Sequence, residues 1–238
     1  MNLILLSAPD FITPTRVRLT DRRLVHIQEI LKAEQGQSLT VGKINGLMGQ
    51  GIVVSKKKDA IELDVKFDSN PPEALPLTLI LALPRPPMLK RILFSSAQLG
   101  VKKIIILNFK RVEKSLWNSS SLNPEAITEQ LVLGLEQAKD TVMPEVILKK
   151  RFKPFVQDEL PALIKGTQAL VAHPGPSTVI LSPKGEESRP FIIVIGPEGG
   201  IIDYEIELLK ASGCHPIDLG PRILRTETVL PYVVGKLF

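Results

Sequence analysis

Two strand-length runs, Leu77–Leu83 and Phe191–Ile195, are almost unbroken in apolar side chains. A strand with one wet face alternates polar and apolar residues, so runs this uniform must be covered on both faces, as in a parallel sheet between layers of helices. The sequence between and after them agrees. Met88–Leu99 carries helical spacing (Leu89, Ile92, Leu93, Ala97) and stops at Gly100, Ile104–Leu107 is a further strand, and Asn123-Pro124 opens a helix through about Ala138 with proline in its first turn. Ala169–Ala172 adds a buried strand. A helix from about Asp203 to Ala211, a short strand Pro216–Leu219 and a helix from about Thr226 complete an α/β pattern with a mostly parallel sheet.

The first 70 residues read differently. Arg16–Leu19 is a short strand, and Thr20 or Asp21 caps a helix whose apolar face is Leu24, Ile27, Ile30 and Leu31. Ser38–Ile44 and Gly51–Ser55 flank the tight-turn signal Asn45-Gly46, and Ile61–Phe67 alternates with period two. The stretch 68–76, Asp-Ser-Asn-Pro-Pro-Glu-Ala-Leu-Pro, is the clearest break in composition and marks a linker. The expectation is a small β-rich domain at 1–70 and an α/β domain at 76–238, consistent with 238 residues at roughly 150 per domain.

Several function classes drop out. The single cysteine, Cys214, precludes an internal disulfide framework or a multi-cysteine zinc site and reads as a buried filler. His26, His173 and His215 lie far apart in sequence without clustered carboxylates, so no metal is expected. No apolar run approaches the roughly 20 residues that span a bilayer, and Met1–Ala8 lacks a basic leader, so the expected location is cytoplasmic with no membrane partner. The net charge of +5 is unevenly placed: residues 84–114 hold eight basic groups against Glu113 alone. Such a cluster either neutralises nucleic-acid phosphates or is a solvated face, while Lys56-Lys57-Lys58 before Asp59 reads as ordinary solubility at a turn.

In an open parallel sheet, ligands bind beyond the carboxyl ends of the strands. Three loops there combine glycine with proline: 172–176 (Ala-His-Pro-Gly-Pro), 196–200 (Gly-Pro-Glu-Gly-Gly) and 220–225 (Gly-Pro-Arg-Ile-Leu-Arg). Each backbone is forced along a tight path with N–H and C=O groups free to read a ligand; singly each is an ordinary turn, together they suggest one pocket. Neither a G-x-G-x-x-G fingerprint nor a phosphate-binding G-x-x-x-x-G-K-[ST] loop is present.

The block Phe191-Ile-Ile-Val-Ile-Gly-Pro-Glu-Gly-Gly200, then Glu205, then Leu219-Gly-Pro-Arg-Ile-Leu-Arg-Thr-Glu-Thr228 resembles the RsmE family, S-adenosylmethionine-dependent methyltransferases of the SPOUT superfamily acting on N3 of a uridine in 16S ribosomal RNA. His26-Ile-Gln-Glu-Ile-Leu-Lys32, Gln98-Leu-Gly-Val101 and Glu136-Gln137 with Pro144-Glu145 are similar to further segments of that family. The resemblance implies an N-terminal PUA-like β-barrel at 1–70 that binds RNA, a SPOUT α/β methyltransferase domain at 76–238 ending in a trefoil knot, a homodimer, and 16S rRNA, within the small ribosomal subunit, as partner. Lys32 stands where the family usually has Arg, Gln98 where Glu is common, and Lys139-Asp140-Thr141 where Arg is frequent. Ile202 replaces a helix-capping Ser, a role Asp203 is expected to take one residue later.

On that resemblance the loops hold the cofactor S-adenosylmethionine, through Leu170, His173, Ile195, Gly196, Pro197, Gly199, Gly200, Leu219, Gly220, Ile223, Leu224 and Thr226. Arg222 and Arg225, with Glu198, are the catalytic candidates. The arginines either hold phosphate and stabilise negative charge on the base, or form structural ion pairs with Glu198 or Glu227; no general base is identifiable. The RNA-binding candidates are Arg16, Arg18, Arg22, Arg23, Lys32, Arg85, Lys90 and Arg91. Two other functions stay open: a SPOUT methyltransferase of another RNA site, and a non-enzymatic rRNA-binding assembly factor.

Overall fold

The computed structural model describes residues 1–174 and 190–238, so Gly175 and Pro176 of the first loop lie outside the described residues. The chain divides into two compact units, Met1–Glu73 with Leu131–Met143, and Ala74–Gln130 with Pro144–Phe238.

The first unit is built on β1 (Ile4–Leu6), β2 (Phe11–Thr13), β3 (Arg16–Leu19), β4 (Ser38–Lys43), β5 (Met48–Lys56) and β6 (Ile61–Ser69), in the order β1-β4-β5-β6-β3-β2. Only the β1–β4 pairing is parallel. The period-two pattern does what it should: Ile61, Leu63 and Val65 point into a core shared with Val17, Leu19 and Val41. Asn45, at φ +56°, rather than Gly46 takes the left-handed position of the β4–β5 turn, as its short polar side chain permits. Helix α1 (Arg22–Val25) starts at Asp21, whose carboxylate accepts the Arg23 N–H at 2.9 Å, and runs into a π-helical turn, His26–Ile30. The Leu31 N–H reaches back five residues to the His26 carbonyl, which widens the spiral. The expected four-residue face therefore splits: Leu24 and Ile27 are buried, while Ile30 and Leu31 are 68% and 41% exposed. Residues 131–143 complete this unit: the Glu136 carbonyl accepts the Asn2 and Leu3 N–H groups, and the Thr141 carbonyl accepts that of Asn45.

The second unit holds β7 (Leu75–Ala82), β8 (Val101–Leu107), β9 (Glu145–Lys149), β10 (Gln168–Ala172), β11 (Phe191–Ile195) and β12 (His215–Ile217). Their order is β12-β10-β11-β7-β8-β9 and every pairing is parallel. The helices are α2 (Pro86–Gln98), α3 (Pro124–Ala138, whose second half belongs to the first unit), α4 (Phe152–Pro154), α5 (Leu160–Ile164), α6 (Asp203–Ala211) and α7 (Thr226–Leu237). A π-helical turn at Phe155–Glu159 joins α4 to α5. Leu79, Ile80 and Leu81 of β7 and Ile193 and Val194 of β11 are fully buried, as their apolar runs require. The chain builds outward from β7 to β8 and β9, then crosses to lay down β10, β11 and β12 on the other side. The side on which strands are added thus changes between β7 and β11, although the two remain parallel, and such a switch point opens a crevice at the carboxyl ends. Among the described residues no helix is long and apolar enough to cross a membrane.

Candidate functional site

That crevice is a cavity of about 840 Å³, within the roughly 300–1,000 Å³ typical of small-molecule pockets. The described residues of the three glycine–proline loops meet there. His173 and Pro174 enter from β10, Ile195 to Glu198 with Gly200 and Ile201 from β11, and Asp218 to Arg225 from β12, while Thr226, Glu227 and Val229 of α7 close one side. A fourth wall, from β7, is made by Arg85, Pro87 and Met88. Sequence reading gave Arg85 to RNA and did not place this wall. The available signal was the Pro84-Arg85-Pro86-Pro87 run directly after the longest apolar strand.

The β11–α6 loop is the most tightly specified. Gly200 sits at φ +80° and its N–H bonds to the Pro197 carbonyl at 2.8 Å, and a Cβ on Gly196 would land on the Ile201 side chain. Behind the loop, the buried Glu205 accepts the Lys110 N–H at 2.7 Å through one carboxylate oxygen and the Ile202 N–H at 3.4 Å through the other. Arg111 donates to the Gly199 carbonyl. The loop is thereby clamped to the segment after β8. Ile202 is the N-cap of α6 and Asp203 its first, exposed residue, so Asp203 does not cap; Glu205 reaching back from the first turn does so instead. In the third loop Asp218 accepts the Gly220 N–H at 3.0 Å, with Gly220 at φ +108°. In the first, the His173 N–H bonds to the Ile217 carbonyl at 3.1 Å, tying β10 to β12 at the pocket floor.

Two cofactor candidates lie off the pocket. Leu170 is fully buried in mid-strand, paired with Ile193 and His215, and Gly199 turns its carbonyl to Arg111 instead of lining the cavity. The catalytic candidates Glu198, Arg222 and Arg225 all line it. Arg225 stands 4.0 Å from Glu227 with its side chain 82% exposed, a contact too long and too wet to immobilise the guanidinium. Glu198 is 3.8 Å from Arg85.

Of the RNA candidates, Arg18, Lys32, Lys90 and Arg91 are exposed, and Arg91 stands 3.9 Å from Glu227. Arg16 is paired to Asp64 at 2.8 Å, and Arg22 to the buried Glu136 at 2.8 Å. Arg23 must be withdrawn: it is 9% exposed and its guanidinium is spent on Asp10, Asp21 and the Leu5 carbonyl. Cys214 is 2% exposed and burial pushes its thiol up to about 12, which leaves it inert. Among the described residues no three His, Cys, Asp or Glu side chains are grouped to hold a metal.

Fold and cavity together define an α/β protein with a cavity at the switch point of a parallel sheet. Residues 71–237 match the family described as "RNA methyltransferase domain", and the chain belongs to that family. Among its relatives is ribosomal RNA small subunit methyltransferase E of Treponema pallidum, 29% identical over 231 residues that cover 96% of this chain and 87% of the relative. Ribosomal RNA small subunit methyltransferase E 1 of Borreliella burgdorferi is 26% identical, covering 96% of this chain and 93% of its own. The fold is shared with a ribosomal RNA small subunit methyltransferase E from Neisseria gonorrhoeae, solved bound to S-adenosylmethionine. That structure gives a TM-score of 0.75 at 20% identity and covers 99% of this chain and 95% of that one.

Proposed function

We propose that this protein transfers the methyl group of S-adenosylmethionine to N3 of a uridine in 16S ribosomal RNA. The observation that carries the reading is the convergence of the two signature loops, with His173 and the Arg85 wall, on one cavity at the sheet's switch point. The cavity fits the cofactor's chemistry. Ile195, Ile201, Leu224 and Val229 offer an apolar slot for an adenine, the backbone of Gly196–Gly200 and Leu219–Leu224 offers hydrogen-bonding groups for its edge and the ribose, and Asp218 offers a carboxylate for an amino group. When bound, the cofactor supplies an electrophilic methyl group on a sulfonium.

The protein's own task is to present uracil N3 in line with that methyl and to favour loss of the N3 proton. Arg222 and Arg225, which line the cavity and are exposed, stabilise the negative charge that then develops on the base. Glu198 stands 3.8 Å from Arg85, and Glu227 stands 3.9 Å from Arg91 and 4.0 Å from Arg225, so these carboxylates temper the positive charge at the cavity without fixing the guanidinium groups. A paired or stacked uridine must first be exposed, the part we assign to RNA binding by 1–70. We read 1–70 as a PUA-like domain, supported by its mostly antiparallel six-stranded sheet, and 76–238 as a SPOUT domain ending in a trefoil knot. A homodimer fits the 95% exposure of Ile223.

The test is calorimetry with S-adenosylmethionine, followed by mass-spectrometric mapping of methylated nucleotides in bare rRNA and in small ribosomal subunits. Arg225→Ala is expected to slow transfer by about a hundredfold or more, the scale of one lost charge-stabilising donor, with cofactor affinity retained. Wild-type turnover in that variant would remove Arg225 from catalysis, and absence of cofactor uptake by the wild type would refute the reading.

A further inference from the structure

We propose that the carboxyl ends of β8 and β9 form a track for single-stranded RNA, with Trp117 as a stacking platform and Lys110, Lys114, Lys150 and Arg151 receiving phosphates. The proposal rests on the reading above in taking RNA as the substrate. Because every strand of the sheet is parallel, β8 and β9 end on the same edge as the strands that form the cavity. The segment after β8 already touches a cavity loop, through Arg111 on the Gly199 carbonyl and the Lys110 N–H on Glu205.

The two strand ends are joined into one surface. The Asn108 N–H donates to the Lys149 carbonyl at 2.9 Å, the Trp117 indole N–H donates to Asn108 Oδ1 at 2.9 Å, and the Phe109 and Phe152 rings lie 4.8 Å apart. The Lys150 ammonium stands 5.9 Å from the centre of the Trp117 ring. Residues 108–118 bring Lys110, Arg111 and Lys114 against Glu113, and residues 149–153 bring Lys149, Lys150, Arg151 and Lys153 with no acid. The neighbouring acids are engaged: Glu113 lies 3.5 Å from Arg85, and Glu159 holds Lys149 at 2.6 Å. Lys110, Lys114, Lys150 and Arg151 are exposed, and Trp117 is half-buried with its polar edge fixed. A fixed aromatic ring among exposed cations is the combination that grips unpaired nucleotides, whose bases can stack while their phosphates release counterions; a duplex keeps its base faces hidden.

Trp117 is the only tryptophan in the chain, so its fluorescence reports on the track directly. The full-length protein is titrated with a short single-stranded oligouridylate at several salt concentrations. Saturable quenching is expected, and the triple variant Lys114→Ala/Lys150→Ala/Arg151→Ala should flatten the salt slope of log K by about 2, at roughly 0.7 per lost phosphate contact on a single strand. Its cofactor affinity should stay at the wild-type value. In methyl transfer, Trp117→Leu should raise the KM for RNA with kcat unchanged, and Trp117→Phe should restore it. An unchanged salt slope in the triple variant, or equal quenching by duplex RNA or by polyglutamate, would overturn the track. Those results are independent of catalysis: oligonucleotide binding with the expected slope beside a wild type that methylates no rRNA would keep the track and refute the proposed reaction instead.

Discussion

The guanidinium of Arg23 lies 2.6 Å from Asp10 and 2.7 Å from Asp21 while remaining 9% exposed. Burial alone would push the Asp10 carboxyl up, but the bonds from Arg23 and Ser7 outweigh it and hold the group below its ordinary value of 3.8. Glu136 goes the other way: burial outweighs the attraction of Arg22, so its carboxyl is raised above 4.5. The two have opposite consequences. Stabilisation by Asp10 is fully present above pH 3.8 and is lost as pH falls through its lowered folded value. The cost of ionised Glu136 is present above its raised folded value and disappears as pH falls towards 4.5. Urea-unfolding free energies measured against pH should therefore rise slightly on mild acidification and then fall. Glu136→Gln should remove the rise, and Asp10→Asn should flatten the fall. Asp10→Asn should also cost, at neutral pH, up to the roughly 3–5 kcal/mol of breaking a buried pair, moderated because Asp21 still faces Arg23. An acid limb identical in Asp10→Asn and wild type would exclude this account. Nothing in the local sequence distinguishes Arg23 from Arg22, because the partner that buries it, Asp10, comes from a separate turn of the chain.

Glu205 does for an element what Asp10 does for a residue. Its carboxylate starts α6 and simultaneously fixes the segment after β8, so the loop Gly196–Ile202 has little freedom to leave the cavity wall. Glu205→Ala removes the acceptor of the part-buried Lys110 N–H, a loss of about 0.5–1.5 kcal/mol for one hydrogen bond. It should also weaken S-adenosylmethionine binding by around tenfold, equivalent to about 1.4 kcal/mol. Glu205→Gln, which keeps one acceptor, should fall between, and Asp203→Ala should change neither melting temperature nor cofactor affinity. Calorimetry and thermal melts on the three variants check this; a Glu205→Ala protein with wild-type affinity would mean that the loop holds its shape unaided. The loops themselves were legible because glycine and proline act through their own backbone. Glu205's role was not, since its partner lies 95 residues away. Likewise β9 was unreadable: it is an edge strand of five residues, only partly buried. The helical stretch from Phe152 to Ile164 is broken by Pro154, a π-helical turn and Pro161, which blur any 3.6-residue period.

At the scale of the molecule, composition revealed the change from a β-rich to an α/β pattern but not the order of the strands. Uniform apolar runs say that β7 and β11 are covered on both faces; they do not say that the two are neighbours, which is what places the cavity. Composition also marked the break at 68–76 without revealing that residues 131–143 belong with the first unit. That return has an energetic consequence. In a fragment of residues 1–75, the N–H groups of Asn2, Leu3 and Asn45 lose the Glu136 and Thr141 carbonyls, and Arg22 loses Glu136. At about 0.5–1.5 kcal/mol for each hydrogen bond, the loss is a large share of the roughly 5–15 kcal/mol that holds a domain together. Leu131, Leu135 and Thr141, all nearly inaccessible in the intact chain, no longer cover their side of the unit. The fragment 1–75 should therefore show a poorly dispersed amide spectrum or a broad, low melting transition, and a peptide spanning 128–143 added in trans should sharpen both. A fragment that melts cooperatively without the peptide, at the temperature of the intact protein's first unit, would show that the first 75 residues are a self-sufficient domain and that 131–143 merely rests on it.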